Sequence, residues 1–218
     1  MFVLSANFAK YQPALQTACE QLSLALDECQ QRQLLYYLQQ LLLWNKAYNL
    51  TAIKDENQAL IKHIFDSLSL VPYIKQQMQQ NPDFTNLLDV GTGAGLPAVV
   101  VAICCPTLQI TALDSNGKKI RFIKQVVSEL GLKNITPLAC RIEEHHQQYA
   151  AITSRAFASL IDFINFIQDK LAEKGQILAM KGVLPSEEIA SLQESWQNTK
   201  KKLIVPNLDE VRHLIVLQ

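Results

Sequence analysis

The stretch Leu87-Leu88-Asp89-Val90-Gly91-Thr92-Gly93-Ala94-Gly95-Leu96-Pro97 reads as a strand, a turn and the start of a helix. Its short apolar beginning, rich in branched residues, is the mark of a buried strand. Glycines at alternate positions 91, 93 and 95 then permit a turn that only glycine tolerates. Pro97 suits a first helical turn, where its missing amide hydrogen costs nothing and its fixed φ is already helical. Unpaired amides at such a turn, together with the helix dipole, predict a socket for an electron-rich ligand.

Beyond the turn, strand candidates alternate with helix candidates. Leu87 to Val90, Ile110 to Leu113, Ile135 to Leu138, Ala150 to Thr153 and Ile177 to Met180 are the strands; Pro97 to Cys104, Lys118 to Leu130 and Leu160 to Leu171 are helices between most of them. Such alternation predicts right-handed crossovers and a mainly parallel sheet covered on both faces. Leu203 to Val205 and His213 to Leu217, separated by a Pro-Asn-containing loop, read as an antiparallel pair finishing the sheet edge. The expected fold is α/β: a doubly wound, mainly parallel seven-stranded sheet with a helical N-terminal extension. Ligands of such sheets sit beyond the carboxyl ends of the strands at the switch point, where the glycine turn lies.

Before the turn, residues from about Gln12 to Ile74 show apolar side chains at helical spacing, among them Leu34, Leu38, Leu41 and then Ile61, Ile64, Phe65 and Leu68. Asp27 is placed to cap the helix running through Arg32 to Trp44. The Gln-rich piece Gln76 to Pro82 reads as a polar connector, so residues 1–80 are expected to form the extension and 81–218 the sheet domain.

Twenty basic and twenty acidic residues cancel, so no global positive field advertises a polyanionic partner, although a local basic patch remains open. The five cysteines form neither a CxxC pair nor a Cys/His cluster with zinc spacing, which predicts reduced thiols and no metal site. No basic-then-apolar leader begins the chain, and Val99 to Cys105 is far too short to span a bilayer. A cytoplasmic protein with no membrane partner is expected.

The ligand class comes from two acids. Asp114 follows the second apolar run a little over twenty residues beyond Gly91, where a carboxylate can accept hydrogen bonds from a ribose. The glycine spacing is GxGxG, not the GxGxxG of dinucleotide sites. Asp89 at the head of the turn would repel a pyrophosphate and attract an ammonium group. S-adenosylmethionine carries both a ribose and an ammonium; an ordinary strand–helix corner is the competing reading of a lone GxGxG.

At this point several separate motifs converge. LLDVGTGAGLP, LDSNGKKIRFIKQVVSELGLKNI, RIEE, SRAFASL and Ala179-Met180-Lys181-Gly182 closely resemble the bacterial 16S ribosomal RNA guanine-N7 methyltransferases, the RsmG or glucose-inhibited division protein B family. The resemblance extends to Trp44 through Thr51, His63 through Leu68 and Glu210 through Leu214, nearly the whole chain. It implies a class I S-adenosylmethionine-dependent methyltransferase, Rossmann-like, acting on N7 of a guanosine of 16S rRNA in the small subunit or its assembly intermediate, with another RNA or a protein as the alternative substrate; a monomer is expected. It implies cofactor contacts at Gly91, Leu96, Ile142, Glu143 and Arg155, to which the physical argument adds Asp89, Gly93, Gly95 and Asp114. Two positions depart from the family: Ala98 stands where glycine is usual, and Ala150-Ala151 where an acid is common.

Guanine N7 carries an available lone pair at neutral pH, so alignment matters more than a base and no general base is assigned. Arg141, Arg155, Lys181 and Arg212 each begin or end a strand and are the candidates to surround the guanosine and its phosphates. Lys118, Arg121 and Gln125 share one helical face, which is either an RNA contact or simply solvated. Lys200-Lys201-Lys202 precedes the expected edge strand and is either an RNA contact or a guard against edge pairing. His145-His146 reads as a solvated turn. His63 and Asp66, at i and i+3, are expected to bond each other or cap a neighbouring turn, with a role in closing the cofactor pocket raised by the resemblance.

Overall fold

The computed structural model describes residues 2–155, 159–190, 192 and 196–218. Helices α1 (Ala6–Ala9), α2 (Gln12–Gln21) and α3 (Glu28–Tyr48) come first, followed by α4 (Glu56–Ala59), which runs through a π-helical turn, Leu60–Phe65, into α5 (Asp66–Leu68), and then by α6 (Val71–Gln80). The remainder alternates: β1 (Asn86–Val90), α7 (Ala98–Cys104), β2 (Gln109–Asp114), α8 (Gly117–Leu130), β3 (Ile135–Ala139), β4 (Tyr149–Ser154), α9 (Leu160–Ile167), β5 (Leu171–Lys181), α10 (Ser186–Ala190), β6 (Asn198–Leu203) and β7 (Arg212–Leu217).

Local chemistry explains the boundaries. Asp27 caps α3: its carboxylate accepts from the Gln30 amide at 2.7 Å, while the Gln30 side chain accepts from the Asp27 amide at 3.1 Å. Asn49, left-handed with φ 50°, ends that helix. Asn116 caps α8 through the amides of Lys118 and Lys119, and Gly131, with φ 69°, ends it.

The seven strands form one sheet in the order β3-β2-β1-β4-β5-β7-β6. The first five pair in parallel, and β7 runs antiparallel to both β5 and β6. The order reverses between β1 and β4, so the ends of those adjacent strands form the switch point. Buried Leu87 and Leu88 alternate across β1 and point into apolar layers on opposite faces. Each such leucine contributes roughly 2 kcal/mol by leaving water. The helices before β1 share the larger layer with α7 and α8, in one continuous core.

Two elements differ from their sequence expectation. β5 begins six residues early, at Leu171, and its pairing with β4 is irregular between Tyr149 and Ala151. Its first part includes exposed Glu173 and Lys174, so no apolar signal marks it. β6 spans Asn198–Leu203 instead of starting at Leu203, so Lys200, Lys201 and Lys202 lie on the exposed edge strand itself. That placement matches the use of lysine to discourage edge-to-edge pairing.

Candidate functional site

The three glycines after β1 all have positive φ: 67° at Gly91, 62° at Gly93 and 97° at Gly95. Their surroundings differ. A Cβ on Gly91 would meet nothing within 4 Å, whereas one on Gly95 would lie 2.6 Å from Val99 Cγ2. Gly91 therefore faces open space, and Gly95 permits close packing of the turn on α7 and α8. From α3, the buried Tyr37 hydroxyl donates to the Ala94 carbonyl at 2.8 Å and ties the turn to the helical segment.

The expected socket of unpaired amides is largely used within the turn. Gly95 and Leu96 amides donate to Thr92 O at 2.9 and 3.0 Å, and the Thr92 amide donates to Leu113 O at 3.0 Å. The Ala98 amide, at the head of α7, donates to Asp89 Oδ2 at 3.1 Å, and the Thr92 hydroxyl donates to the same oxygen at 2.6 Å. Asp89 is wholly buried, and its Oδ1 has no hydrogen-bond partner among the described residues. Its carboxylate thus holds the turn and the helix start through Oδ2.

Burial pushes the Asp89 carboxyl up to about 7, although the Thr92 and Ala98 hydrogen bonds and the Arg155 charge act the other way. A folded-state value above the unfolded one means that the native chain holds a proton which the unfolded chain has released. Asp89 should therefore weaken the cofactor-free fold progressively as pH rises from about 4 to about 7, by a few kcal/mol. Asp89→Asn is expected to gain stability relative to the parent between pH 5 and 8 in urea titrations. Parallel pH profiles for the two proteins would refute this.

A cavity of about 220 Å³ opens at the carboxyl ends of β1, β2 and β3, lined by Val90, Gly91, Leu113, Asp114, Ser115, Cys140, Arg141, Ile142 and Glu143. Asp114 Oδ1 accepts from the Asn116 amide at 2.8 Å, while Oδ2 accepts from the Gly93 amide at 3.0 Å and lies 3.5 Å from Lys119 Nζ. Buried Ile142 and exposed Glu143 sit on a short 3₁₀ turn after β3. Of the predicted cofactor residues, Gly91, Asp114, Ile142 and Glu143 meet here. Gly93 joins them only through its amide, Gly95 and Leu96 pack into the core, and Arg155 lies elsewhere.

A second cavity, about 380 Å³, opens at the ends of β4, β5 and β7. Ile53, Lys62, His63, Asp66, Arg155, Met180, Lys181, Gly182, Leu203, Arg212 and His213 line it. Arg155, Lys181 and Arg212, three of the four predicted substrate-side cations, come together here, while Arg141 belongs to the first cavity. The side chains of His63 and Asp66 do not bond each other, although the Asp66 amide donates to the His63 carbonyl. His63 Nε2 lies 2.9 Å from the Thr51 hydroxyl, and Asp66 accepts from Arg155 and Arg212, each at 3.2 Å. Burial, reinforced by the Arg155 charge, lowers the His63 pKa to about 4, so the ring is neutral at pH 7. The Trp44 to Thr51 segment supports this wall: Asn45 Oδ1 accepts from the Thr51 amide at 2.9 Å.

Lys62 and His213 also line the cavity, and sequence reasoning missed both. Their signal was weak, because the wall is assembled from segments about 150 residues apart, although Lys62 stands four residues before Asp66 and so on the same helical face. Ala156 and Phe157 of the SRAF motif lie outside the described residues. Lys118, Arg121 and Gln125 are exposed on α8, with Ile120, Ile123, Val127 and Leu130 inward. His145 Nε2 lies 2.7 Å from the Tyr149 hydroxyl, and no group of three His, Cys, Asp or Glu residues among those described is arranged to hold a metal. No helix among them is long and apolar enough to cross a membrane.

The strand order, the glycine turn after β1 and the acid ending β2 define the Rossmann-like fold of class I S-adenosylmethionine-dependent methyltransferases. Solved structures agree on the fold. TrmN from Thermus thermophilus aligns with TM-score 0.52 at 15% identity, over 73% of this chain and 53% of its own. The ribosomal protein L11 methylase of Lactobacillus delbrueckii subsp. bulgaricus aligns with TM-score 0.51 at 19% identity, over 66% and 76%. Within that class, residues 30–215 match the profile described as rRNA small subunit methyltransferase G. Proteins named ribosomal RNA small subunit methyltransferase G are 54% identical in Psychrobacter cryohalolentis, over 98% of this chain and 87% of the relative, and 44% identical in Acinetobacter baumannii, over 94% and 96%. The chain belongs to the rRNA small subunit methyltransferase G family.

Proposed function

We propose that this protein transfers a methyl group from S-adenosylmethionine to N7 of a guanosine in 16S rRNA, within the small ribosomal subunit or its assembly intermediate, and that it does so as a cytoplasmic monomer. Residues 1–80 serve as a helical extension to the methyltransferase domain, 81–218. The observation that carries the reading is a pair of cavities at strand ends of the sheet, one bounded by the glycine turn and Asp114, the other by Lys62, Arg155, Lys181 and Arg212.

Three features support the cofactor assignment. The buried Asp89 Oδ1, without a hydrogen-bond partner among the described residues, is an acceptor suited to an ammonium group. Gly91 leaves open the space that a Cβ would fill. Asp114 ends β2 with each carboxylate oxygen bonded by a backbone amide, and Oδ1, away from Lys119, keeps a second lone pair for a ribose hydroxyl. Ile142 contributes an apolar surface for a base, and Glu143 the rim beside it.

When bound, S-adenosylmethionine supplies an electrophilic methyl group on a sulfonium sulfur. The chain has no proton to remove from guanine N7, so its work is orientation: bringing two ligands together in line accounts for much of the acceleration in such reactions. The cations of the larger cavity hold the nucleotide through its phosphates, and the guanidiniums of Arg155 and Arg212 suit that task by their planar, multi-donor geometry. With a net charge of zero, recognition depends on this local cluster and on the shape of the particle more than on a long-range field.

Incubation with labelled S-adenosylmethionine and small subunits lacking the modification, followed by nucleoside analysis, is expected to place the label in 7-methylguanosine of 16S rRNA. Label in protein, in another RNA or in a different methylated nucleoside would refute the reading.

A further inference from the structure

Asp66 is where three distant parts of the chain meet. It follows the π-helical turn directly, and its side chain is only 7% exposed. Oδ2 accepts from Arg155 Nη1 and Oδ1 from Arg212 Nε, both at 3.2 Å. Arg155 follows the last residue of β4, and Arg212 is the first of β7. The contacts close into a ring. Arg155 Nη1 also donates to the Lys62 carbonyl at 3.2 Å; Lys62 Nζ donates to Glu210 Oε1 at 2.9 Å; Arg212 Nη2 donates to Glu210 Oε2 at 2.8 Å.

We propose that Asp66 is a positioning residue for methyl transfer, fixing the guanidiniums of Arg155 and Arg212 against the wall of the larger cavity before the target nucleotide enters. The inference rests on the function proposed above. A nearly buried carboxylate shared by two guanidiniums is costly to desolvate, and such ion pairs seldom stabilise a fold better than apolar side chains of similar volume. Stability alone therefore gives weak reason for it here. A reason appears in the cavity: arginine side chains are long and flexible, and ordering them during folding removes that entropic cost from substrate binding. Among the described residues, Lys62, Arg155 and Arg212 are paired with two carboxylates, Asp66 and Glu210, which leaves the ring with a net positive charge. The π-helical turn aims Asp66 across the cavity at both strands, and such turns are common at functional sites.

The test compares the parent, Asp66→Asn, Arg212→Ala and the double variant by methyl-transfer kinetics on small subunits, with calorimetry of S-adenosylmethionine binding and thermal melting beside them. Asp66→Asn keeps the shape and removes the charge. Its kcat is expected to fall roughly tenfold to a hundredfold, as a small misplacement of reacting groups does, with cofactor Kd unchanged within about twofold. The double variant should lose less than the product of the two single losses, because both changes act on one clamp, and Asp66→Glu should restore part of the rate. Multiplicative losses, or a turnover loss that merely follows melting or cofactor affinity, would overturn the positioning role. A parent protein that transfers no methyl to the RNA would instead remove the function on which the inference rests.

Discussion

Gly95→Ala is expected to cripple folding, whereas Gly91→Ala should fold and lose cofactor affinity. At Gly95 the new methyl would sit 2.6 Å from Val99 Cγ2, 3.3 Å from Ile123 Cγ1 and 3.5 Å from the Tyr37 hydroxyl, at a φ of +97°. Positive φ costs an L-residue about 1–2 kcal/mol, and forcing bulk into a packed core costs about 1–3 kcal/mol more. Together these come to about 2–5 kcal/mol, a large share of the roughly 5–15 kcal/mol stability of an ordinary domain. The neighbours have little room to yield: Val99 and Ile123 are fully buried, and Tyr37 is fixed by its bond to Ala94 O. At Gly91, with φ +67° and nothing within 4 Å of the new atom, only the backbone strain applies. The methyl then projects into the space assigned to the ligand. Melting temperature and calorimetric Kd separate the two cases. A Gly95→Ala protein that melts with the parent, or a Gly91→Ala protein that binds S-adenosylmethionine as tightly, would count against this division of labour.

The contrast between those glycines shows where sequence reasoning succeeds and where it stops. Strand, turn and helix around Gly91, Gly93 and Gly95 were legible because backbone conformation is a local property that restricts residue type. Parallel strands buried on both faces were legible as apolar runs, while the first part of β5, exposed at Glu173 and Lys174, was not. Which glycine faces a ligand and which faces Val99 depends on neighbours brought in by the fold. The same holds for the charged groups. Asp89 stands at the head of the turn, yet its Oδ2 is occupied by Thr92 and Ala98, a hydrogen-bonding pattern that no spacing displays. His63 and Asp66 have the spacing of a helical pair, but the His63 ring lies against the Thr51 hydroxyl and the Asp66 carboxylate takes two arginines from distant strand ends. Arg155 and Arg212 were legible as strand-end cations, but their convergence on one carboxylate was not.

Arg155→Ala should have the largest effect on turnover of any single change in the larger cavity. Arg155 bridges the Lys62 carbonyl and Asp66, and its charge also acts on His63 and Asp89. Removing it leaves Asp66 with Arg212 among the described residues and takes one cation from the wall of the larger cavity. Methyl transfer is expected to fall roughly a hundredfold or more, because misplacement within a reacting pair is that costly. The family resemblance assigns Arg155 to the cofactor, while its position among Lys181, Arg212 and Asp66 favours the nucleotide. The rate should accordingly fall by a larger factor than cofactor affinity; equal losses would return Arg155 to the cofactor side. Arg155→Lys should restore only part of the rate, since an ammonium is a point charge without the planar fork. An independent readout exists at His63, whose pKa of about 4 reflects burial first and the Arg155 charge second. Loss of that charge should raise the value, while burial keeps it below the ordinary 6.5. A proton-coupled shift of the His63 imidazole signals in NMR titrations would follow the change directly, and a midpoint unmoved by Arg155→Ala would place the guanidinium too far away to organise this wall.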